Sequence, residues 1–482
     1  MIINMKKISA LLLTTSLVGC SYIPAVGPDY DKPEIPVNSY WNFSTSAPKD
    51  VKILQETPET ETPTADGTVE VKEEIFDNPA WWENFNDPVL NQLIGQAVEK
   101  NYDLKTAISR VKEARANRLS EAAVLLPEVD ATGSVQRNKQ RSPFSAKPLN
   151  TYQAGFDSIW EIDIFGGQRR RFEAAENLVE AAEADQQNVL ISLRAEVARN
   201  YMEVRNFQSQ IDITLDNIKS QGQSLDLTRS QRDAGIVSDL DVSQAQSLYF
   251  STSSRLPTLQ TSLEQAKNNL STLLGEQPGK LDEILSQVQR VPVAGNKFLI
   301  QTPATVIANR PDVKAAERQL AAATALQGAA FAEYFPKLSL TGFFGYQHNE
   351  LVPGGNIWSL GGNAVMPILD FGRVRAGVRV ADAQQEQAFN NFQQTVLIAL
   401  SEVQTNLVTY VNEEKRYEYL ASAVASNKKA VELSKARYDT GIAAFTDVLI
   451  AQGELYSVES QLAQSEANVA ENLIALNKSL GR

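Results

Sequence analysis

Cysteine and histidine are almost missing from this chain, and each absence removes a class of function. Cysteine occurs once in 482 residues, at Cys20, so no intramolecular disulfide can form. Histidine also occurs once, at His348, and no HExxH, paired CxxC, GxSxG or GxxxxGKS/T motif is present. Hydrolysis would need a nucleophile with its base, or a metal, and no residues here are spaced for either. The acidic residues follow repeat and helix face rather than forming a distinctive pair, so catalytic residues, metal and cofactor are all expected to be none. After Cys20 there is no run of about 18 apolar residues, hence no transmembrane helix, and any membrane crossing must use β-strands. A basic stripe is lacking too. The formal charge is -13, and losing Lys6 and Lys7 with a leader would make it -15, which argues against nucleic acid. Proline is missing between Pro148 and Pro257 and again after Pro367, which leaves room for very long helices.

Lys6 and Lys7 precede the apolar stretch Ile8 to Val18, which is too short to span a bilayer and reads as a signal peptide over residues 1–19. It ends in Leu17-Val18-Gly19-Cys20, which resembles the lipobox of bacterial lipoproteins. Cys20 is then expected to be the mature N-terminus, carrying diacylglycerol and an N-acyl chain of the palmitate class. Ser21 in second place, where Asp would retain the protein, implies sorting to the outer membrane.

The chain repeats itself. Leu227 to Gly275 aligns without gaps on Leu433 to Gly481 at an offset of 206, with Asp233-Ala234-Gly235-Ile236 on Asp439-Thr440-Gly441-Ile442. Asp103, Pro127 and Gly133 fall on Asp312, Pro336 and Gly342 at an offset of 209, so a loop between Gly133 and Phe165 differs by three residues. Each half reads helix, strand, loop, strand, long helix, turn, long helix. Gln168 to Asp233 alone would be about 100 Å long as a helix. Val396, Ala399, Leu400, Val403, Leu407 and Tyr410 recur at spacings of three and four, as in a helix packed on neighbours along one side. Gly235 and Gly441 mark turns that need a left-handed residue.

Four other segments alternate with period two: Val129 to Val135, Tyr152 to Trp160, Leu338 to Tyr346, and Trp358 to Met366. Their apolar and aromatic positions suit strands with lipid on one side and water on the other. A barrel that fills its own interior needs about eight strands, so four per chain require strands pooled from several chains. His348 is expected in the loop between the third and fourth strands as a surface residue. Arg169 to Arg171, beside a strand end, are expected to form a solvated or headgroup-facing cluster.

The chain resembles the TolC and OprM type of outer-membrane factor, in the lipoprotein branch serving resistance-nodulation-division (RND) pumps. The matching motifs are Val26-Gly27-Pro28-Asp29-Tyr30, Trp81-Trp82-Glu83-Asn84-Phe85, Trp160-Glu161-Ile162-Asp163-Ile164-Phe165-Gly166, Asn309-Arg310-Pro311-Asp312-Val313 and Met366-Pro367-Ile368-Leu369-Asp370-Phe371-Gly372. The resemblance implies an α+β fold of predominantly long α-helices: a homotrimer with a twelve-stranded outer-membrane β-barrel joined to a periplasmic α-helical barrel. It divides the chain into an N-terminal equatorial segment (20–85) with an acidic insertion (44–78), a first repeat (86–275), an equatorial connector (276–303) and a second repeat (304–482). The implied function is the outer channel of a tripartite efflux pump, with a periplasmic adaptor (membrane fusion) protein, an inner-membrane RND pump and outer membrane lipid as partners. The outer channel of a type I protein secretion system, or a non-conducting lipid-anchored coiled-coil tether, is the alternative. Family precedent puts a gate at the periplasmic turns, with Phe445 and Asp447 at the narrowed end and Gly235, Ile236, Gly441 and Ile442 meeting the adaptor. Asp241 and Asp447 each begin a helix, so a carboxylate there also serves the helix end.

Overall fold

The two proline-free runs form two helices of 67 residues each, the longest elements of the chain. The computed structural model describes residues 25–38, 41, 80–139, 148–293, 302–350 and 352–482. The expected leader, Cys20 and the whole acidic insertion lie outside the described residues. A 3-10 turn (Trp81–Phe85) leads into α1 (Pro88–Lys100), α2 (Tyr102–Val124), β1 (Glu128–Asn138), β2 (Leu149–Ile162), α3 (Gly167–Asp233), α4 (Asp239–Ser253) and α5 (Arg255–Leu273). The second half runs α6 (Pro303–Asn309), α7 (Pro311–Ala332), β3 (Lys337–Asn349), β4 (Gly355–Val365), α8 (Arg373–Asp439) and α9 (Phe445–Ser479). Among the described residues no helix is long and apolar enough to cross a membrane.

The chain divides into two units. The first takes Ile108–Asp185, Asp312–Thr395 and the N-terminal segment up to Ile35. It holds one antiparallel sheet of order β1-β2-β3-β4, whose two outer edges belong to β1 and β4. Residues directly opposite in an antiparallel pair share a face. The register sets Val129, Ala131, Gly133 and Val135 against Ser158, Phe156, Ala154 and Tyr152. It continues through Phe156↔Phe344 to Phe344↔Trp358 and Gly342↔Leu360. All four alternating sets therefore fall on one face, with Phe156, Phe344, Trp358 and Leu360 exposed on it. Thr132, Gln153, Asp157, Thr341, Gln347 and Asn363 make the opposite face mainly polar, with Ile159, Phe343 and Ile357 among its apolar members. Such a sheet suits a wall between lipid and water. The hairpin registers also confirm the duplication, because Gly133↔Ala154 and Asn138↔Leu149 recur as Gly342↔Leu360 and Gln347↔Gly355. The three-residue difference therefore sits in the hairpin loops.

Three expectations fail in this unit. His348 belongs to β3 rather than to the following loop; it lies opposite Tyr152 with the rings stacked at 6.3 Å, so the strand pair continues past its expected end. Met366, expected in the fourth strand, falls just past its end at Val365, where Pro367 offers no N–H and β4 has an open edge. The arginine run is not a solvated cluster. Arg170 is only 4% exposed and donates to the Asp29 carboxylate at 2.5 Å, the Val26 carbonyl at 3.4 Å and the Glu173 carboxylate at 2.9 Å. Arg169 pairs with Asp163 and Arg171 with Glu333. Buried charge is tolerable only when paired; Glu173 comes from the same helix, but Asp29 comes from 141 residues away. Tyr30 adds a 2.7 Å hydrogen bond to Glu317, so Ala25 to Tyr30 lies strapped to this unit.

The second unit takes Pro36–Ala107, Gln186–Pro311 and Val396–Arg482. Asp87 accepts from the amides of Val89 and Leu90, capping α1 just ahead of Pro88. Its carboxylate also accepts from the Tyr201 hydroxyl, which in turn accepts from buried Arg205. Trp81, Phe85, Leu90, Leu93, Tyr201, Met202, Leu270 and Leu274 surround this chain of polar contacts as the apolar core. Val396, Ala399, Val403, Leu407 and Tyr410 are buried along one stripe of α8, as their spacing requires. The first repeat departs from the expected single second helix, since α4 and α5 break at Ser254. Pro257 has no N–H for the Ser253 carbonyl and its ring crowds it; the equivalent residue in the continuous α9 is Ala463.

Candidate functional site at the helix turns

Each long helix ends in the same turn. Gly235 and Gly441 adopt φ of +74° and +73°. The Gly235 and Ile236 amides donate to the Arg232 and Gln231 carbonyls, and those of Gly441 and Ile442 to Tyr438 and Arg437. This paired 5→2 and 6→1 pattern is a Schellman cap, which satisfies carbonyls that the helix end leaves open. A side chain at either glycine would meet nothing within 4 Å, so the left-handed backbone, not crowding, demands glycine. Ile236 and Ile442, which in such caps usually fold back on the helix, are instead exposed.

Beyond the turn the repeats differ. Ser238 caps α4 by accepting from the Asp241 amide, while the Asp241 carboxylate accepts from the Ser238 amide and hydroxyl, a complete capping box. Its counterparts are Ala444, which has no side chain to cap with, and Asp447, which is exposed and has no side-chain hydrogen bond or ion pair among the described residues. Asp447 keeps the place at a helix start that was expected of it, in the first turn of α9, without the reciprocal cap that Asp241 makes.

Phe445 lies only 5% exposed, clustered with Leu225, Val242, Ala245, Val448 and Leu449. Within this chain it is a core residue under the turn, because Leu225 and Val242 offer it an apolar seat, and Asp447 two residues on is the exposed one. Burial, with Asp241 and Asp439 nearby, lifts the neighbouring Tyr438 phenol above its ordinary value.

Sequence reasoning missed a seam along α3. Gln210, Asn217, Ser224 and Gln231 recur every seven residues. They bond Gln464 at 3.1 Å, Glu459 at 3.2 Å, Gln452 at 3.1 Å and Tyr438 at 2.5 Å. A seven-residue repeat is the signature of a helix seam, normally apolar; here it is amide and hydroxyl. The spacing is visible in the sequence, but the search for helix seams follows apolar residues and passes over polar ones at the same period.

Long paired helices, duplicated, with a sheet that is apolar on one face and polar on the other, define a membrane conduit component. The sequence model of the outer membrane efflux proteins matches residues 93–276 and 302–482, and the chain belongs to that family, a family of transport ducts rather than enzymes. It is 30% identical to Nodulation protein T of Rhizobium leguminosarum bv. trifolii over 96% of this chain and 95% of that one. It is likewise 30% identical to the toluene efflux pump outer membrane protein TtgF of Pseudomonas putida, over 98% and 96%. The solved outer-membrane channel OprN superposes with a TM-score of 0.85 at 33% identity, covering 95% of this chain and 98% of that one. The protein is therefore an outer-membrane efflux component with its helical part in the periplasm.

Proposed function

We propose that three copies of this chain form the outer duct of a tripartite efflux pump, a passive conduit from periplasm to exterior. The sheet carries the reading. It has one apolar face, one polar face and two open edges, and four strands cannot close a barrel where about eight are needed. Twelve strands from three chains satisfy every edge, as lipid demands. Cys20 bears diacylglycerol and an N-acyl group, which add an anchor to the barrel's own insertion.

The gate in this reading is the ring of second turns. Asp447, without a side-chain partner among the described residues, appears three times around the axis and makes a ring of carboxylates that binds cations. Phe445 packs beneath it and holds the turn. The polar seam supports movement there, because its hydrogen bonds can be exchanged for bonds to water at little net cost. Gly235, Ile236, Gly441 and Ile442 meet the helical hairpins of a periplasmic adaptor, and through it an inner-membrane RND pump.

Conductance in planar bilayers is the test. Purified protein should open discrete ion-conducting events, and native mass spectrometry in detergent should give three mature chains. A folded monomer would end the proposal, and a folded trimer that leaves bilayers silent would leave a tether.

A further inference from the structure

Three helices of the second unit, α3, α5 and α9, line a cavity of about 310 Å³. Glu203, Asn206 and Phe207 come to it from α3, Ser262, Gln265 and Asn269 from α5, and Gln464 and Glu471 from α9. It lies on the side of α3 away from the core, since Tyr201, Arg205 and Gln208 are buried on the opposite side of that helix and positions three and four apart share a face. Part of the lining is already engaged: Asn206 donates to Gln464 at 3.0 Å, and Glu203 accepts from Arg199 at 3.2 Å. Ser262, Gln265, Asn269 and Glu471 have no side-chain hydrogen bond or ion pair among the described residues. The three on α5 are spaced by three and four, so they form one stripe of amide and hydroxyl groups. Burial and then Glu203 raise the Glu471 carboxyl to about 7, with Arg199 opposing. Glu203 and Arg199 are the charged groups that face it from α3; α5 brings only neutral side chains to the cavity, and α9 adds only Gln464.

We propose that this cavity binds a short aliphatic diamine, with one ammonium group at Glu203 and Glu471 and the other on the α5 stripe. Volume sets the scale, since small-molecule sites begin at about 300 Å³. Charge sets the sign. Arg199 balances one of the two carboxylates, so an ionised Glu471 leaves a negative charge for the ligand to meet and an anion is repelled. A metal ion lacks ligands, because among the described residues no group of three His, Cys, Asp or Glu side chains is placed to hold one. An ammonium group instead donates three hydrogen bonds and takes carboxylate, amide and hydroxyl oxygens alike. Gln265 and Asn269 are exposed, so the second charge stays hydrated while their oxygens accept from it. The linking methylenes lie along Phe207 and Ala266, the apolar part of the lining. Only the ligand's route rests on the duct reading: in the duct, the side of α3 away from the core borders the bore.

Equilibrium dialysis of radiolabelled diaminobutane against the full-length protein in detergent, at pH 8 and fixed ionic strength, reads the site. One saturable site per chain is expected, and magnesium ion, which carries the same charge, should not displace the diamine. Glu471→Gln keeps the shape of the side chain and should weaken binding by about tenfold or more, the loss of one charge-assisted contact. Asn269→Leu, at an exposed position where folding is not at stake, should weaken it severalfold. Between pH 8 and pH 6 the unaltered protein should lose about tenfold in affinity as Glu471 takes up its proton, and Glu471→Gln should lose none. Absence of saturable binding, displacement by magnesium, undiminished binding by Glu471→Gln, or binding that disappears with Asp447→Ala instead would overturn the site and leave the duct standing. Saturable, Glu471-dependent binding by protein that leaves bilayers silent would keep the site and end the duct.

Discussion

Tyr438 and Phe445 face each other with ring centroids 5.2 Å apart, at the two positions where the first repeat places the ion pair of Arg232 with Asp239 at 3.3 Å. Two turns with one backbone are thus closed by different chemistry. The first is held by an exposed ion pair and a reciprocal cap. The second is held by aromatic packing, which leaves the Asp447 carboxylate unengaged.

Asp447→Ala should raise single-channel conductance or weaken block by multivalent cations. Ser238→Ala, which gives the first turn the residue the second already has, should cost about 1 kcal/mol of stability and leave conductance alone. Unchanged conductance and cation block in a folded Asp447→Ala trimer would remove the residue from the gate.

Phe445→Ala empties a seat lined by Leu225, Val242 and Val448. A loss of about 3 kcal/mol is expected, confined to the turn. Hydrogen exchange should speed up across residues 438–449 while the core around Tyr201 keeps its protection. Phe445→Leu should recover most of the loss.

Gly27 sits at φ +92°, and a Cβ there would lie 2.5 Å from the Gly328 Cα. Gly27→Ala should lift the N-terminal segment from its seat and strand Arg170 without Asp29. Cleavage by a glutamyl endopeptidase after Glu34 should quicken by roughly an order of magnitude, since local opening sets the rate. An unaltered cleavage rate would mean the strap is held elsewhere.

Glu471 in α9 has its carboxyl raised to about 7, first by burial and then by Glu203, with Arg199 opposing. A carboxyl raised on folding stabilises the native state fully below its unfolded value and loses that contribution as pH climbs through the folded one. Stability should therefore decline between about pH 4.5 and pH 7 on this account. Glu471→Gln should flatten that part of a melting-temperature profile; an equally sloped profile would assign the dependence to other groups.

Cys20→Ser should abolish palmitate labelling and leave trimers in the membrane fraction, because the barrel rather than the lipid spans the bilayer. A folded protein that becomes wholly soluble would contradict the barrel.

Much of the fold was legible because it follows from local rules. Helix length followed from missing proline, and the membrane face from strict alternation, since a strand side chain has only two directions to choose from. What escaped depends on partners far away in the chain. Three consecutive arginines look solvated until Asp29 and Val26 arrive to bury the middle one. Phe445 gives no sign of its burial until Leu225 and Val242, from the other repeat, enclose it. Pro257 could have been read correctly, since Ala463 stands in its place in the unbroken helix, but the repeats were aligned for what they share.

The divergence of Ser238 from Ala444 has an evolutionary side. In a ring of six separate but identical hairpins, every substitution would appear six times, and a change that loosens one end would loosen all. Joining two hairpins in one polypeptide lets three ends keep a rigid cap while the other three explore different residues. A part that must hold fast and a part that must yield can then be selected independently within a single gene product.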